Sequence, residues 1–492
     1  MLQTDRPDVG QTLRESGLPA ELTAFIAGEF TSRGDGTMFD VEDPATGAVI
    51  ARFEETSTPG VAAAVESAHE AFRLWAGLAP AERGRRLHVV AEALRAHAGL
   101  LARLESIDSG KPLAQATADI SVSVRYFEYY AGLADKIQGQ TIPQPPGTFA
   151  YTVREPFGVV AHITPWNAPL SQLTRGVAPC LAAGNAVVVK PSELTPLTSL
   201  YTARLLTEAG LPPGLCNVVL GQGGSTGAAL TAHEQVRHIT FTGSVAAGRA
   251  VGAVAAQRIV GVNLELGGKS PTIVCADADL DKAARAGALA VVRNSGQSCF
   301  ATTRLLVDRV VAAPFVEKLA ERMAGLSLGH GLDDPDVGPL ISAPQLDRVR
   351  AYLGAAHDDG AEVVIGGEVL DGAGHFVSPT LLRGVTNQMR VAREEIFGPV
   401  QSVLEFDDLD EAVQIANDTE YGLSAGVFTG NVTTAHRVAA RLQAGQIQVN
   451  RYTGAGVEVP FGGYKSSGLG REKGTEVMVH YTQVKSIIVD VA

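Results

Sequence analysis

Three residues of this 492-residue chain have the types and surroundings needed to form, stabilise and release a covalent intermediate. Cys299 closes the run Asn294-Ser295-Gly296-Gln297-Ser298-Cys299, a small, polar approach to an expected helix start. Backbone N–H groups and the helix dipole there would lower a thiol pKa and favour a thiolate nucleophile. By itself a lone cysteine is more often a small buried hydrophobe, so its surroundings must decide. Glu265 ends an apolar run in Leu264-Glu265-Leu266-Gly267-Gly268-Lys269, where partial burial would raise its pKa toward the range of a general base at neutral pH. The competing reading is a structural salt bridge. Asn167 follows Thr164-Pro165-Trp166 at the expected end of a strand, and its amide can donate to an oxyanion. Before Ala168-Pro169 it serves equally well as a turn former.

Two glycine-rich turns compete for a dinucleotide phosphate: Gly221-Gln222-Gly223-Gly224-Ser225-Thr226-Gly227 and Gly243-Ser244-Val245-Ala246-Ala247-Gly248. Each follows an expected strand and precedes an expected helix, so either could offer backbone N–H groups and a helix N-terminus to phosphate. Neither carries the full dinucleotide fingerprint.

The elements that must position these groups are legible from hydrophobic period. Apolar residues recur every three or four positions from Val61 to Trp75, Ala79 to Glu105 and Ala114 to Lys136, which predicts a mainly helical first third. Short β-rich runs then alternate with helix-length segments: Gly158 to Thr164, Ala186 to Lys190, Asn217 to Leu220, His238 to Thr242 and Asn263 to Leu266. Such alternation implies an α/β fold with a parallel sheet. A second strand and helix series runs from near Pro271 to about Gln448, with the boundary near Gly267 and Gly268. The Pro- and Gly-rich segment Gln138 to Pro156 and the tail Val477 to Val491 read as extended and available to a partner chain, while Met1 to Ala20 reads as a loosely held arm.

Composition bounds the function. The formal charge of -13, with no basic run denser than Arg83, Arg85 and Arg86 after Glu82, predicts no nucleic-acid partner. Cys180, Cys216, Cys275 and Cys299 show neither disulfide nor zinc spacing, which fits a reducing compartment. With no basic-then-apolar leader and no run of about 18 apolar residues, the expectation is a cytoplasmic protein without a membrane partner.

Taken together, the motifs resemble the aldehyde dehydrogenase superfamily, in order and over nearly the whole chain. The stretches that carry the resemblance are Pro165-Trp166-Asn167, Lys190-Pro191-Ser192-Glu193, Phe241-Thr242-Gly243-Ser244, Leu264 to Lys269, Gly296-Gln297-Ser298-Cys299, Glu394-Glu395-Ile396-Phe397-Gly398-Pro399 and Pro460-Phe461-Gly462-Gly463. The resemblance implies oxidation of an aldehyde through a thiohemiacetal on Cys299, an oxyanion held by Asn167 and the Cys299 N–H, and a thioester hydrolysed by water that Glu265 deprotonates, with no metal. It implies an NAD site in which Lys190 and Glu193 meet the adenosine ribose, Ser244 the pyrophosphate and Glu395 the nicotinamide ribose, with Trp166, Gly243 and Phe397 beside them. The Gly221 to Gly227 turn is then an ordinary connection. A carboxylate at Glu193 favours NAD, since it would repel the 2′-phosphate of NADP. The implied organisation is a cofactor-binding domain over 1–137 and 157–267, a catalytic domain over 268–448, and an extended oligomerisation element of 138–156 and 470–492. That element would build a homodimer or homotetramer by pairing residues 138–156 with the tail of a neighbour.

Arg175 and Arg293 depart from relatives that take apolar aldehydes and resemble the arginines that hold the distal carboxylate in succinate semialdehyde dehydrogenases. Arginine suits bidentate carboxylate recognition, so an anionic semialdehyde is the expected substrate class. Ala455 and Gly456 stand against it, because those enzymes carry hydroxyl residues there. Outward-facing arginines in salt bridges are the structural alternative.

Overall fold

Short β-branched runs buried on both faces form the centre of the first unit. In the computed structural model, which describes residues 6–452 and 454–491, five parallel strands lie side by side: Gly261–Glu265, Val236–Thr242, Val159–Ile163, Ala186–Lys190 and Cys216–Val218. Every residue of Val159–Ile163 and Ala186–Lys190 is buried, which is why these strands lack polar alternation. Antiparallel edges complete an eight-stranded sheet, Gly468–Leu469 beside Gly261–Glu265 and the Ala24–Ile26, Glu29–Thr31 pair beside Cys216–Val218. The chain winds outward from Val159–Ile163 through Ala186–Lys190 to Cys216–Val218, then crosses back to place Val236–Thr242 on the other side. The order therefore switches between Val159–Ile163 and Val236–Thr242, and the carboxyl ends of strands at such a switch form a ligand crevice.

Residues 266–270 lead from the Gly261–Glu265 strand directly into Pro271–Val274 of a second, seven-stranded sheet. Its order is Glu362–Ile365, Thr380–Arg383, Val400–Phe406, Arg304–Asp308, Pro271–Val274, Ser424–Phe428, Gln446–Val449, parallel except for the first pair. The helix Leu280–Val292, capped by Asp279 accepting from the Lys282 N–H, delivers the chain to the Cys299 loop, which then enters the central strand Arg304–Asp308.

Several expectations need correction. The helices expected in the first third appear as Thr58–Ala76, Pro80–Ala96, Ala98–Ser109 and Leu113–Leu133, but before them the chain also carries an unexpected antiparallel pair, Gly34–Asp43 and Ala48–Thr56, with Glu21–Leu22 alongside. The single helix expected over Ala79 to Glu105 is two, Pro80–Ala96 and Ala98–Ser109, broken at His97, whose ring meets the Tyr201 hydroxyl at 2.5 Å. That contact is tertiary and invisible to helical period. The N-terminal arm is in large part a helix, Pro7–Ser16, with Val9 buried and Arg6 ion-paired to Asp333 at 2.8 Å; Met1 to Asp5 lie outside the described residues. The tail strand Thr482–Asp490 pairs along the whole of Thr148–Pro156 of its own chain, so it is not donated to a neighbour's 138–156 segment. Among the described residues no helix is long and apolar enough to cross a membrane.

Candidate active site

The Cys299 loop is held in an unusual backbone path. Beyond Val292 the turn Arg293–Gly296 puts Asn294 (φ 48°), Ser295 (φ 54°) and Gly296 (φ 72°) in the left-handed region. For the two residues with side chains this costs on the order of 1–2 kcal/mol each, offset by a dense set of bonds. Ser295 Oγ donates to the Gly338 carbonyl (2.7 Å), the Asn294 N–H to Gln115 Oε1 (2.8 Å), and the Ile341 N–H to Gln297 Oε1 (2.9 Å). A Cβ at Gly296 would drive into the Gly398 carbonyl, so only glycine fits. Asn167 is locked to the same loop. Its Nδ2 donates to the Gln297 carbonyl at 3.0 Å while its own carbonyl accepts from Asn294 Nδ2 at 2.7 Å. The second amide proton of Asn167 has no partner among the described residues and is available to an oxyanion.

No helix begins at Cys299, contrary to expectation: the chain turns at Cys299 and Phe300 and straightens into Arg304–Asp308. Without a dipole to favour the thiolate, burial pushes the thiol up to about 12, aided by Glu395 and Glu265 and opposed by the Arg175 charge. Glu265 is buried, and neither carboxylate oxygen has a hydrogen-bond partner among the described residues. Burial, and then Glu472, hold its carboxyl well above the usual range against the pull of Arg175, Arg471 and Lys473. Such a group is poised to take a proton.

The remaining expected residues flank this pair. Glu395 Oε1 accepts from the Gly268 N–H at 2.9 Å, and burial brings its carboxyl up to about 7. Phe397, left-handed at φ 61°, sets its ring edge-on to Trp166 with centroids 5.1 Å apart. At the switch point, Lys190 Nζ donates to Glu193 Oε2 (3.2 Å), with Lys190 buried and Glu193 open to solvent. Ser244 caps Val245–Arg258, its Oγ accepting from the Ala247 N–H at 3.3 Å, and the Gly243 N–H donates to the Glu265 carbonyl at 3.0 Å. The Gly243 turn is thus bonded to the strand that ends in Glu265. The Gly221 to Gly227 turn is also near: Gly227 abuts the Lys190 stem, and the Gln222 N–H bonds Glu55 Oε1 at 3.0 Å.

The two arginines differ. Arg175, on the helix Pro169–Ala182, is buried in an ion pair with Glu472, bonds Thr242 Oγ1 at 3.4 Å and covers the Phe461 ring at 5.2 Å. Arg293 has a side chain 42% exposed, lies over the Phe300 ring at 5.5 Å and approaches Asp119 only to 3.6 Å.

The family model of the aldehyde dehydrogenases matches residues 30–487. The chain belongs to the aldehyde dehydrogenase family. It is 41% identical to an aldehyde dehydrogenase from Bacillus cereus solved as an NAD+ complex, with a TM-score of 0.95 and 100% of each chain covered. It is 35% identical to a betaine aldehyde dehydrogenase from Staphylococcus aureus solved in complex with NAD+, with a TM-score of 0.95, covering 98% of this chain and 97% of that one.

This aldehyde dehydrogenase also uses residues that the sequence reading passed over. Asn294 anchors Asn167, and Gln297 stitches the loop to Ile341. Glu472 neutralises Arg175 and raises Glu265. Its signal was present in Gly470-Arg471-Glu472-Lys473-Gly474, three charges between two glycines that both adopt positive φ. The thiol's environment gives a test. Below its pKa the thiolate fraction grows about tenfold per pH unit, so alkylation of Cys299 by iodoacetamide in the cofactor-free enzyme should climb steeply from pH 7 to 9. Cys180, Cys216 and Cys275 are fully buried and should lag. A flat rate, followed by peptide mass spectrometry, would mean a thiolate already formed and would overturn the dominance of burial.

Proposed function

We propose that this protein oxidises an aldehyde to a carboxylic acid with NAD, through a covalent intermediate on Cys299, and that its substrate is an anionic semialdehyde. The observation that carries the chemistry is Glu265, buried, unpartnered and within electrostatic reach of Cys299. Cys299 first gives up its S–H proton to solvent, and the thiolate Sγ then adds to the aldehyde carbon, placing the negative charge on the carbonyl oxygen. The oxygen that gains charge is met by the free amide proton of Asn167 and the Cys299 N–H, each such donor being worth roughly 3 kcal/mol, or about a hundredfold in rate. When bound, NAD supplies acceptance of the hydride, which converts the thiohemiacetal into a thioester. Glu265 then takes a proton from water, the water oxygen attacks the thioester carbon, and the thiolate leaves as the carboxylic acid is released. An enzyme that passed its acyl group to coenzyme A would have no use for that base.

The residues at the switch point suit NAD. The Val245–Arg258 N-terminus, with exposed Ser244 at its cap, offers donors to a pyrophosphate. The carboxylate of Glu193 can accept from a ribose 2′-OH and would repel a 2′-phosphate. Lys190 and Glu395 would meet the two riboses, and Trp166, Gly243 and Phe397 the cofactor between them.

For the substrate, support comes from Arg293, half exposed, only loosely engaged by Asp119 and lying over Phe300 beside Cys299. The tight Arg175–Glu472 pair favours the second reading, a neutral aldehyde, because a substrate carboxylate would have to compete with Glu472 for that arginine. A homo-oligomer is supported by the Thr482–Asp490 edge strand, whose sheet exposes Ile142, Phe149, Val484 and Ile488.

Replacing Glu265 with Gln should leave one burst of NADH per site followed by slow turnover, because hydride transfer survives and deacylation stalls. Loss of the burst itself would give Glu265 another role. Arg293→Ala should lower kcat/KM for an acidic semialdehyde about ten- to a hundredfold more than for a neutral aldehyde of equal length; equal losses would make Arg293 structural. Light scattering should report a dimer or tetramer, and a monomer would refute the assembly.

A further inference from the structure

The irregular return from Gly454 to Gly474 brings a third cation close to Cys299. Lys473 sits at φ 60° between buried Glu472 and left-handed Gly474. Its turn is tied to the facing stretch by Phe461 N–H to the Glu472 carbonyl (2.6 Å), Glu472 N–H to the Phe461 carbonyl (2.7 Å) and Gly474 N–H to the Val457 carbonyl (2.8 Å). A non-glycine residue held left-handed by its surroundings is backbone strain of the kind found at ligand clamps.

The side chain lacks a counter-ion. Nζ lies over the Phe461 ring at 5.5 Å and donates to the Ala455 carbonyl at 3.1 Å, and among the described residues no carboxylate pairs with it. An ammonium has three protons, so two remain for a ligand. Across the pocket, Arg293 lies over Phe300, and the Phe300 and Phe461 rings meet edge to face with centroids 6.4 Å apart. Lys473 and Arg293 therefore flank one aromatic pair beside Cys299, with Arg175, held by Glu472, also over Phe461. Glu472 is taken up by Arg175, and Asp119 by Lys111 at 2.7 Å, so neither acid balances them fully. At position 455 the side chain is only a methyl, and the Lys473 ammonium is the donor that reaches it.

Resting on the semialdehyde reading above, we propose that Lys473 binds the substrate's distal carboxylate together with Arg293, and that Arg175 serves as the partner of Glu472. Burial, with Arg175 and Arg293 nearby, brings the Lys473 ammonium down to about 8, so an anion at this place would relieve repulsion already built into the site.

The test uses the purified full-length enzyme at saturating NAD, with succinic semialdehyde and butanal as four-carbon probes. Wild type should prefer the acidic probe. In Lys473→Met the acidic-to-neutral ratio of kcat/KM should fall about ten- to a hundredfold, mostly through KM, and Lys473→Arg should recover most of it. An acidic preference that survives in Lys473→Met overturns the role of Lys473 alone. A wild type that favours butanal overturns the semialdehyde reading itself, and the Lys473 assignment with it. A measurement free of variants runs alongside: acetylation of Lys473 by acetic anhydride, read by mass spectrometry, should be suppressed by succinate and not by butyramide. Equal labelling with both would also overturn the assignment.

Discussion

Glu265 ends a strand of the first sheet and Cys299 lies on the loop that enters the second, and they come near each other because the backbones pack closely where the two sheets join. After Glu265 the chain passes through Gly267 and Gly268 before starting the second sheet at Pro271. A Cβ at Gly267 would overlap the Glu395 carboxylate, and one at Gly268 would come within 2.5 Å of the Cys299 carbonyl. A side chain at Gly268 would push against the Cys299 backbone, and one at Gly267 would displace Glu395. On this stretch of main chain the Gly268 N–H donates to Glu395 and the Glu265 carbonyl accepts from the Gly243 N–H, tying Glu265, Glu395 and the Gly243 turn together. Close packing of interiors leaves little freedom for such a junction to adjust.

Bringing these groups together also dries them. Burial is the largest influence on Glu265, Glu395, Cys299 and Lys473, and in each case it favours the uncharged form. Lys269, one residue beyond the glycine pair, is brought to about 7 for the same reason, and its Nζ has no hydrogen-bond partner among the described residues. The site therefore holds its ionisable groups largely uncharged, with Glu395 and Lys269 brought closest to neutrality at about 7. It also explains why the thiol is not activated at rest. The sequence suggested a helix dipole acting on Cys299, but the loop ends in a strand, and burial outweighs the opposing pull of Arg175 and of the Cys299 backbone N–H.

What could be read in advance follows from which forces are local. The strands expected at 158–164, 186–190, 217–220, 238–242 and 263–266 appear as Val159–Ile163, Ala186–Lys190, Cys216–Val218, Val236–Thr242 and Gly261–Glu265, because doubly buried β-branched runs bounded by turns are a local signal. The second α/β series beyond Pro271 was legible for the same reason. The break at His97 was not, since its cause is Tyr201, and neither was the N-terminal helix, whose anchor Asp333 is far along the chain. At the site, Asn167 and Glu265 could be singled out from strand ends and flanking leucines. The partner of Arg175 could not: spacing places an arginine near a pocket, but only the fold reveals that Glu472 arrives beside it and that Arg293 is left more open.

The two walls of the pocket are joined underneath by buried charge. Lys111 bonds Glu105 at 3.0 Å and Asp119 at 2.7 Å. The other oxygen of Glu105 accepts from the Leu170 N–H at 3.2 Å, in the first turn of the helix that follows Asn167 and carries Arg175, while the other oxygen of Asp119 faces Arg293 at 3.6 Å. Burying three ions costs several kcal/mol each before their attraction is counted, so such a cluster adds little net stability. Its effect is on position, because it sets the wall that bears Asn167 relative to the wall that bears Arg293. Removing Lys111 would leave two buried carboxylates uncompensated, a loss of about 3–5 kcal/mol, whereas removing either acid leaves Lys111 paired with the other. The helix that follows Asn167 is therefore coupled through buried charge to Arg293, so a change at the exposed edge of this network disturbs the fold less than one within it.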